Sequence, residues 1–257
     1  MEEIYVNVMN NLLGVAAKGA DTFSALCAQE VIDKGYFVVG ISGGNTPRPM
    51  YRLLGSEPYV SEIPWGQVHI FWVDERITPY DSDYSNYGTA RREFLDRVPI
   101  SPQNIHPILV DRDAETSASI YEREIMDFFA LPPGHCPAFD ALFLGLGEDG
   151  HTASLFPNHP GPTQPQRLII SVQGGNPSLP RVTMTPTIIN NSKSVIFLVS
   201  GRLKAGVVRD TLERRDPTLP STKISPQKGS VIWIVDREAA SALRPPYPRG
   251  HLRLVKS

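Results

Sequence analysis

Short apolar runs that alternate with stretches of helical spacing limit the possible folds of this chain more than any other feature. The runs are four to six residues long, and their apolar residues mostly follow one another directly. Strands that are covered on both faces have this pattern, and such strands belong mainly to parallel sheets. We therefore predict a largely parallel sheet. The six runs are residues 37–41, 68–73, 141–144, 167–170, 194–199 and 231–235.

Between these runs, apolar residues recur at spacings of three and four, the period of an amphipathic helix. Strands and helices that alternate along the chain in this way predict an α/β fold. Because Cys27 lies on one stripe and no CxxC spacing joins it to Cys136, we expect a buried thiol. The clearest stripes are Ala16, Ala20, Phe23, Cys27 and Val31; Ala118, Tyr121, Ile125 and Phe128; and Leu203, Val207, Val208 and Leu212.

The length of 257 residues fits one large domain or two small ones. The prolines cluster around residues 132–133, 157–165 and 245–248. None of these clusters separates two segments that each contain enough strands for a core of their own. We therefore expect a single domain over residues 1–257.

Charge and hydropathy exclude several classes of partner. The formal net charge is −2 and the 25 basic residues are scattered, so we expect neither a nucleic-acid surface nor a basic membrane patch. No apolar run approaches the ~18 residues of a spanning helix, and the first residues lack the pattern of a secretory signal. We expect a cytoplasmic protein that is a monomer or a small homo-oligomer.

A glycine-rich turn, Ser42-Gly-Gly-Asn-Thr-Pro47, follows the first run and precedes a short helical stretch. Its two glycines let the backbone approach a ligand, and its hydroxyls lie beside the free N–H groups of a helix N-terminus, which favours a phosphate. The same residues also fit a plain turn in which Thr46 caps the helix. The turn is neither a dinucleotide fingerprint nor a Walker loop, so nucleotide cofactors are not indicated.

Two further polar turns follow the second and third runs. Asp74, Glu75 and Arg76 come directly after residue 73, and Asp149 and His151 lie on a glycine-rich turn after residues 141–146. Ligands of open α/β sheets bind beyond the carboxyl ends of the strands, so we expect these turns to meet the Ser42 turn in one crevice. The alternative for residues 74–76 is a solvated turn with a local ion pair.

His151 is the first candidate for a general base, because an imidazole titrates near neutral pH. The alternatives are a histidine packed under a loop and an Asp149 that merely caps a helix opening near Thr152. A metal site is not indicated, because the available side chains have no recognised ligand spacing. The candidates for such a site are Asp149, His151, His159, His135 and Cys136.

Taken together, five motifs in order resemble the 6-phosphogluconolactonase family. The resemblance spans about residues 42–205, nearly the whole chain. The motifs are Ser42-Gly-Gly-Asn-Thr-Pro47; Asp74-Glu-Arg-Ile-Thr-Pro79 with Ser85-Asn-Tyr87; Gly145-Leu-Gly-Glu-Asp-Gly-His-Thr-Ala-Ser-Leu-Phe-Pro157; Arg181-Val-Thr-Met-Thr185; and Gly201-Arg-Leu-Lys-Ala205.

The resemblance implies a modified Rossmann-like fold, with a mostly parallel sheet and helices on both of its faces. It implies hydrolysis of the δ-lactone of 6-phosphogluconate in the oxidative pentose phosphate pathway, without a cofactor or a metal. The related glucosamine-6-phosphate deaminases typically carry Asp-Glu-Tyr at residues 74–76 and a catalytic glutamate at the position of Phe156. Both differences favour the lactonase. Asn45 departs from the serine that is more usual in lactonases, but asparagine suits such a turn.

The chemistry that this hydrolysis needs suggests roles for the site residues. His151 is the general base, Asp149 or Asp74 its partner, and Arg76 the group that stabilises the oxyanion. A sugar-phosphate-binding protein without catalysis is the remaining alternative, although it has no use for a paired base. Taken alone, Arg181 and Lys204 would be interpreted as exposed surface cations. The residues implied in phosphate binding are Ser42, Gly43, Gly44, Asn45, Thr46, Arg181 and Lys204.

Overall fold

The computed structural model describes residues 3–132, 134–157 and 167–244. Strands and α-helices alternate along most of the described chain, as the apolar runs predict. The strands are β1 (Glu3–Met9), β2 (Phe37–Ile41), β3 (Val68–Trp72), β4 (Asp74–Arg76), β5 (Ile105–His106), β6 (Ala141–Leu144), β7 (Ile169–Gly174), β8 (Leu179–Met184), β9 (Ser194–Val199) and β10 (Ser230–Asp236). The helices are α1 (Leu12–Lys34), α2 (Arg48–Leu54), α3 (Tyr59–Glu62), α4 (Asn86–Glu93), α5 (Ala114–Phe128), α6 (Pro186–Ile189) and α7 (Ala205–Arg209).

Seven strands form a parallel sheet in the order β1-β10-β9-β6-β2-β3-β5. Each neighbouring pair in this sheet is parallel. Five of the six apolar runs lie in it, so the prediction of a mostly parallel sheet is confirmed. Its two edges, β1 and the two-residue β5, were not predicted from the sequence.

Helices cover both faces of this sheet, as predicted. On one face, Phe23 of α1 packs against Phe143 of β6, with 5.8 Å between the ring centroids. Phe143 lies beside Ile41 in the register. Phe71 lies beside Gly40, the preceding residue of β2, and therefore points to the opposite face. There it contacts α5 through Tyr121, with 6.3 Å between centroids.

The long helix α1 begins and ends with recognisable caps. Asn11 accepts a hydrogen bond from the Gly14 amide at its start, and Gly35 ends it in the left-handed region with φ 87°. Cys27 is fully buried on its inner face, as predicted, and this burial raises the pKa of the thiol to about 12, with a smaller effect of the Asp140 charge.

None of the helices in the described segments is long and apolar enough to cross a membrane.

A second, antiparallel sheet has the strand order β4-β8-β7. It contains the apolar run 167–170, which was predicted to lie in the parallel sheet, and that prediction is wrong. Ile169 and Ile170 of the run form the start of β7, whose outer half alternates between buried and more exposed residues as an antiparallel strand does. Three apolar residues in a row do not distinguish the two sheets. In β4, Arg76 pairs with Arg181 of β8.

Between β2 and β6, the direction in which successive strands are added to the parallel sheet reverses. From β2 the chain continues to β3 on one side, and from β6 it reaches β9 on the other. The loops that leave the carboxyl ends of β2 and β6 therefore diverge, and a crevice opens between them. This crevice receives the turns after residues 41 and 144.

The apolar stripe predicted at residues 203–212 is buried on a helix only in part. Val207 and Val208 are buried, but Leu203 is 77% exposed because it precedes α7 in a 3₁₀ turn. In this turn Lys204 lies at the crevice, and Leu203 is left outside the core.

An ion-pair cluster ties α2 to α4. Glu93 accepts hydrogen bonds from Arg48, at 3.1 Å, and from Arg52, at 2.7 Å. The bond from Arg52 is the largest effect on Glu93, and it lowers the pKa of this carboxyl from its ordinary value of 4.5. The charged pair therefore stabilises the fold above about pH 4.5, and this stabilisation is lost as the pH falls through the lowered pKa.

We expect Glu93→Gln to lower the free energy of unfolding by about 1 kcal/mol near neutral pH, because the arginines are partly exposed and screened by solvent. Urea unfolding at a series of pH values should show this difference shrinking toward acid pH. Glu238→Gln, at an exposed site, is the control and should change little. A difference that is constant with pH would contradict this explanation.

Candidate active site

One cavity of about 340 Å³ lies at the carboxyl ends of the central strands. This volume is within the range of ~300–1,000 Å³ that is typical of ligand sites. The cavity brings together every predicted site residue except Asp149, which lies behind His151. Its lining is Ser42, Gly43, Gly44, Asn45, Thr46, Pro47, Asp74, Arg76, Asn86, Gly145, Leu146, Gly147, Glu148, His151, Ala153, Arg181 and Lys204.

His151 is paired with Asp149. Its Nδ1 lies 2.6 Å from Asp149 Oδ1, which also accepts the His151 backbone N–H at 3.1 Å. Gly147 leaves the room for this pair, since a Cβ there would come within 2.0 Å of the imidazole Nδ1. Burial raises the pKa of Asp149, but its bonds to His151 and their charge interaction outweigh this effect, and the net pKa is lowered. The carboxylate therefore holds a proton on Nδ1 and leaves Nε2 as the free acceptor.

The helix considered for residues after Thr152 is absent from the described part of this loop. Thr152 and Leu155 instead form an isolated β-bridge. Asp149 therefore does not cap a helix, and that alternative is wrong. The loop is a folded turn in which Gly147 donates its backbone N–H to the His151 carbonyl at 2.7 Å.

Asp74 is not the partner of His151, although the sequence left this open. It is buried and accepts a hydrogen bond from the Ser154 hydroxyl at 2.6 Å, and its backbone carbonyl accepts one from the Asn86 side chain at 2.8 Å. The alternative of a solvated turn for residues 74–76 is wrong as well. Asp74 and Glu75 are both buried, and all three residues belong to β4.

Glu75 points away from the cavity and anchors helix α4. Its carboxylate accepts hydrogen bonds from the amides of Asn86 and Tyr87, each at 2.8 Å, and from the Ser85 hydroxyl at 3.1 Å. Burial raises its pKa to about 7, against the opposing effect of these amides. Asn86 is the first residue of α4 and lines the cavity, so these bonds to Glu75 fix the position of the Asn86 side chain.

Two arginines lie side by side on the cavity wall. Arg181 is buried, and its Nε donates to the Gly174 carbonyl at 2.9 Å; Arg76 Nη1 donates to the Tyr84 carbonyl at 2.7 Å. Burial, and then the neighbouring Arg76 charge, lower the pKa of Arg181. Two neighbouring cations in a partly desolvated site favour an anion between them. Arg181 is thus no surface residue that precedes a strand, since it lies inside β8.

Two buried donors on the cavity wall have no hydrogen-bond partner within the described part of the chain. They are the Ser42 hydroxyl and Arg76 Nε. A buried donor without a partner costs free energy, so each is expected to meet a ligand atom or a water. Ser42 was predicted to bind the phosphate and Arg76 to stabilise the oxyanion.

The glycine turn also lines the cavity. Helix α2 begins at Arg48 and has Pro47 at its cap position, without a side-chain cap bond, so the alternative of a Thr46 cap is wrong. The left-handed residue of the turn is Gly44, with φ 96°. Asn45 therefore adopts no left-handed backbone, and its difference from the usual serine leaves the turn unstrained.

Lys204 reaches the cavity from the turn after β9. Burial lowers the pKa of its amine, while the charges of Glu148 and Asp149 oppose this effect. The residue is half-buried rather than solvated. Together with Arg76 and Arg181, it is the third cation that lines this cavity.

Four polar or packing residues of the site were given no role from the sequence. Ser154 and Phe156 belong to the third motif, and Asn86 to the second, but nothing in their spacing indicates a contact. Phe156 lies between two predicted site residues, 5.0 Å from the His151 ring and 5.5 Å from the Arg181 guanidinium. Glu148 lines the cavity next to Lys204 and could have been noticed beside Asp149.

Among residues 3–132, 134–157 and 167–244, no group of three or more His, Cys, Asp or Glu side chains is arranged to hold a metal ion. His159, one of the candidates considered from the sequence, lies outside the described residues.

Comparisons with known proteins bear on this site. Residues 13–233 match the sequence profile of the family described as glucosamine-6-phosphate isomerases/6-phosphogluconolactonase. A 6-phosphogluconolactonase of Synechocystis sp. is 42% identical over 218 residues, which are 84% of this chain and 88% of that protein.

Solved structures share the fold. A 6-phosphogluconolactonase from Thermotoga maritima superposes with a TM-score of 0.78 at 27% identity, over 91% of this chain and 100% of that one. A monomeric glucosamine-6-phosphate deaminase superposes with a TM-score of 0.77 at 21% identity, over 93% of this chain and 99% of that one. At this identity the second likeness concerns the fold alone.

Proposed function

The chain belongs to the family of glucosamine-6-phosphate isomerases and 6-phosphogluconolactonases, and we propose that its cavity hydrolyses a lactone by general-base activation of water. The reaction is the hydrolysis of 6-phospho-D-glucono-1,5-lactone to 6-phosphogluconate in the oxidative pentose phosphate pathway. Relatives that are 42% and 36% identical to this chain carry the name of this activity. The observation that supports the proposed mechanism best is the His151–Asp149 pair, whose imidazole lines the same cavity as three cations.

His151 acts as the base in this mechanism. Asp149 accepts a hydrogen bond from Nδ1–H, so Nε2 is free to remove a proton from water as the water attacks the lactone carbonyl carbon. The imidazolium then returns this proton to the ring oxygen when the ester bond breaks. One water is consumed, and the product is the open-chain hydroxy acid.

Arg76 stabilises the negative charge that develops on the carbonyl oxygen. Its Nη1 is held by the Tyr84 carbonyl, while its buried Nε is without a protein partner in the described chain. A fixed donor of this kind stabilises the tetrahedral intermediate more than the substrate, because the charge is larger in the intermediate.

The phosphate is bound by Arg181, Lys204 and the turn from Ser42 to Thr46. Both cations are partly desolvated, which strengthens their interaction with a dianion. The Ser42 hydroxyl is a further donor without a partner among the described residues. Binding the phosphate at this end holds the lactone carbonyl at the other end against His151.

Phe156 favours hydrolysis over deamination. It stands where the resemblance to the deaminases would require a catalytic glutamate, and its ring packs against the His151 imidazole. An apolar ring supplies no acid for ring opening of an amino sugar. Because the deaminase has the same fold, the fold does not distinguish the two reactions. The distinction rests on the side chains of the site.

The test is a parallel assay on two substrates. We expect the wild-type protein to hydrolyse 6-phosphogluconolactone above the spontaneous rate and to release no ammonia from glucosamine 6-phosphate. Ammonia release would contradict the lactonase. Binding of either substrate without turnover would favour a sugar-phosphate-binding protein instead.

We propose a cytoplasmic location and a monomer or small homo-oligomer, with a sugar phosphate as the small-molecule partner. Relatives of lower identity include a plant protein named as chloroplastic, so fractionation of the source cells is the appropriate test of location.

A further inference from the structure

Ser154 lies behind the wall of the cavity and joins two of its charged residues. The side chain is fully buried. Its hydroxyl donates to Asp74 Oδ2 at 2.6 Å and accepts from Arg181 Nη1 at 3.4 Å. Its backbone N–H is bonded to the Thr183 hydroxyl at 3.1 Å, which fixes the residue against β8. Ser154 is therefore held in place independently of the two charges that it joins.

A hydroxyl suits this position because it has one proton to donate and lone pairs to accept with. The proton is committed to the carboxylate, and a lone pair faces the guanidinium. Asp74 Oδ2 and Arg181 Nη1 themselves are 4.0 Å apart, at the outer limit of an ion pair. An arginine and a carboxylate that meet directly approach to about 2.7–2.9 Å. The serine thus separates two charges that would otherwise close on each other.

We propose that Ser154 is a positioning residue that keeps the Asp74 carboxylate from closing onto Arg181, so that the Arg181 guanidinium stays free for the substrate's phosphate. The inference rests on the proposed function, in which Arg181 binds that phosphate. The remaining contacts of Arg181 support it. Its Nε is bonded to the Gly174 carbonyl, and Phe156 lies beside the guanidinium, so a shift of Nη1 is the motion left to it.

Removing the hydroxyl leaves Asp74 Oδ2 without its donor in a buried site. The next donor is Arg181 Nη1, and the pair is expected to close. The guanidinium then moves by about 1 Å and shares its charge with Asp74, which weakens its bonds to a phosphate. The reacting end of the substrate, at His151 and Arg76, is not directly changed.

The experiment compares wild type, Ser154→Ala and Ser117→Ala. Ser117 is equally buried, and its hydroxyl has no partner within the described chain, so it controls for loss of a buried hydroxyl as such. Calorimetric titration with inorganic phosphate measures binding without catalysis. For Ser154→Ala we expect the Kd of phosphate and the KM of the phosphorylated lactone to rise by roughly tenfold, with a smaller change in kcat. Ser117→Ala should change neither value.

A second readout separates positioning from general damage to the fold. The unphosphorylated gluconolactone does not use Arg181, so its kcat/KM should be the same in wild type and Ser154→Ala. An equal loss on both lactones, or an unchanged phosphate Kd in a folded variant, would overturn the inference. If Ser154→Ala does not fold, Ser154→Cys gives the same comparison, since a thiol is a weaker donor of similar size. Wild-type protein that binds phosphate without hydrolysing the lactone would contradict the proposed function, whereas the phosphate Kd of Ser154→Ala would still decide whether Ser154 positions Arg181.

Discussion

Replacing His151 with alanine should lower the kcat of lactone hydrolysis by roughly 10²- to 10⁴-fold and change KM little. The imidazole is the group in the cavity that is paired through Nδ1 with a carboxylate, which leaves Nε2 to accept a proton from water. General-base catalysis by such a group contributes about this much to the rate. Initial rates, corrected for spontaneous hydrolysis of the lactone, give both constants.

His135→Ala is the matched control, because His135 is an exposed histidine that does not line the cavity. It should leave both constants unchanged. If His151→Ala instead raised KM at an unchanged kcat, His151 would bind the substrate rather than activate water. A mechanism with a different base would then be required.

Replacing Lys204 with alanine should raise KM by roughly 10- to 100-fold and lower kcat less. The loss corresponds to a charge-assisted bond to a dianion in a partly desolvated site. The effect falls on KM because the phosphate is equally charged in the substrate and in the transition state. The same variant should lose affinity for inorganic phosphate, which titration calorimetry measures directly.

Lys228→Ala provides the comparison, since Lys228 is an exposed lysine before β10 and outside the cavity. Rates that fall mainly in kcat for Lys204→Ala would place this amine at the reacting end of the substrate. The assignment of the two ends of the cavity would then have to be reversed.

The polar turns of the site were predictable because they follow uninterrupted apolar runs. Ser42 comes directly after β2, and Asp149 and His151 come shortly after β6, so the rule for carboxyl ends of parallel strands places them together. The partner of His151 was not predictable. Whether Asp149 or Asp74 meets the imidazole depends on the backbone of one tight turn, in which Gly147 leaves room for the pair.

The second sheet marks the other limit of prediction from the sequence. The run at 167–170 contains three consecutive apolar residues, as the runs of the parallel sheet do. Its different pairing follows from a hairpin between β7 and β8 that the run itself does not reveal. Arg181 therefore reaches the cavity through its register with Arg76. Ser154 was not predicted for a related reason, since its bond to Asp74 joins residues that are 80 positions apart.

The first and last strands of the central sheet are neighbours, and this affects how the chain folds as it is synthesised. β1 lies at the edge of the sheet and pairs with β10. At ~5–20 residues per second, a ribosome needs roughly 10 to 45 s to proceed from the end of β1 to the end of β10. During that time β1 has no strand to pair with, and its backbone groups are open to other chains. Until β10 has been made, the chain is therefore most exposed to wrong strand pairing at β1.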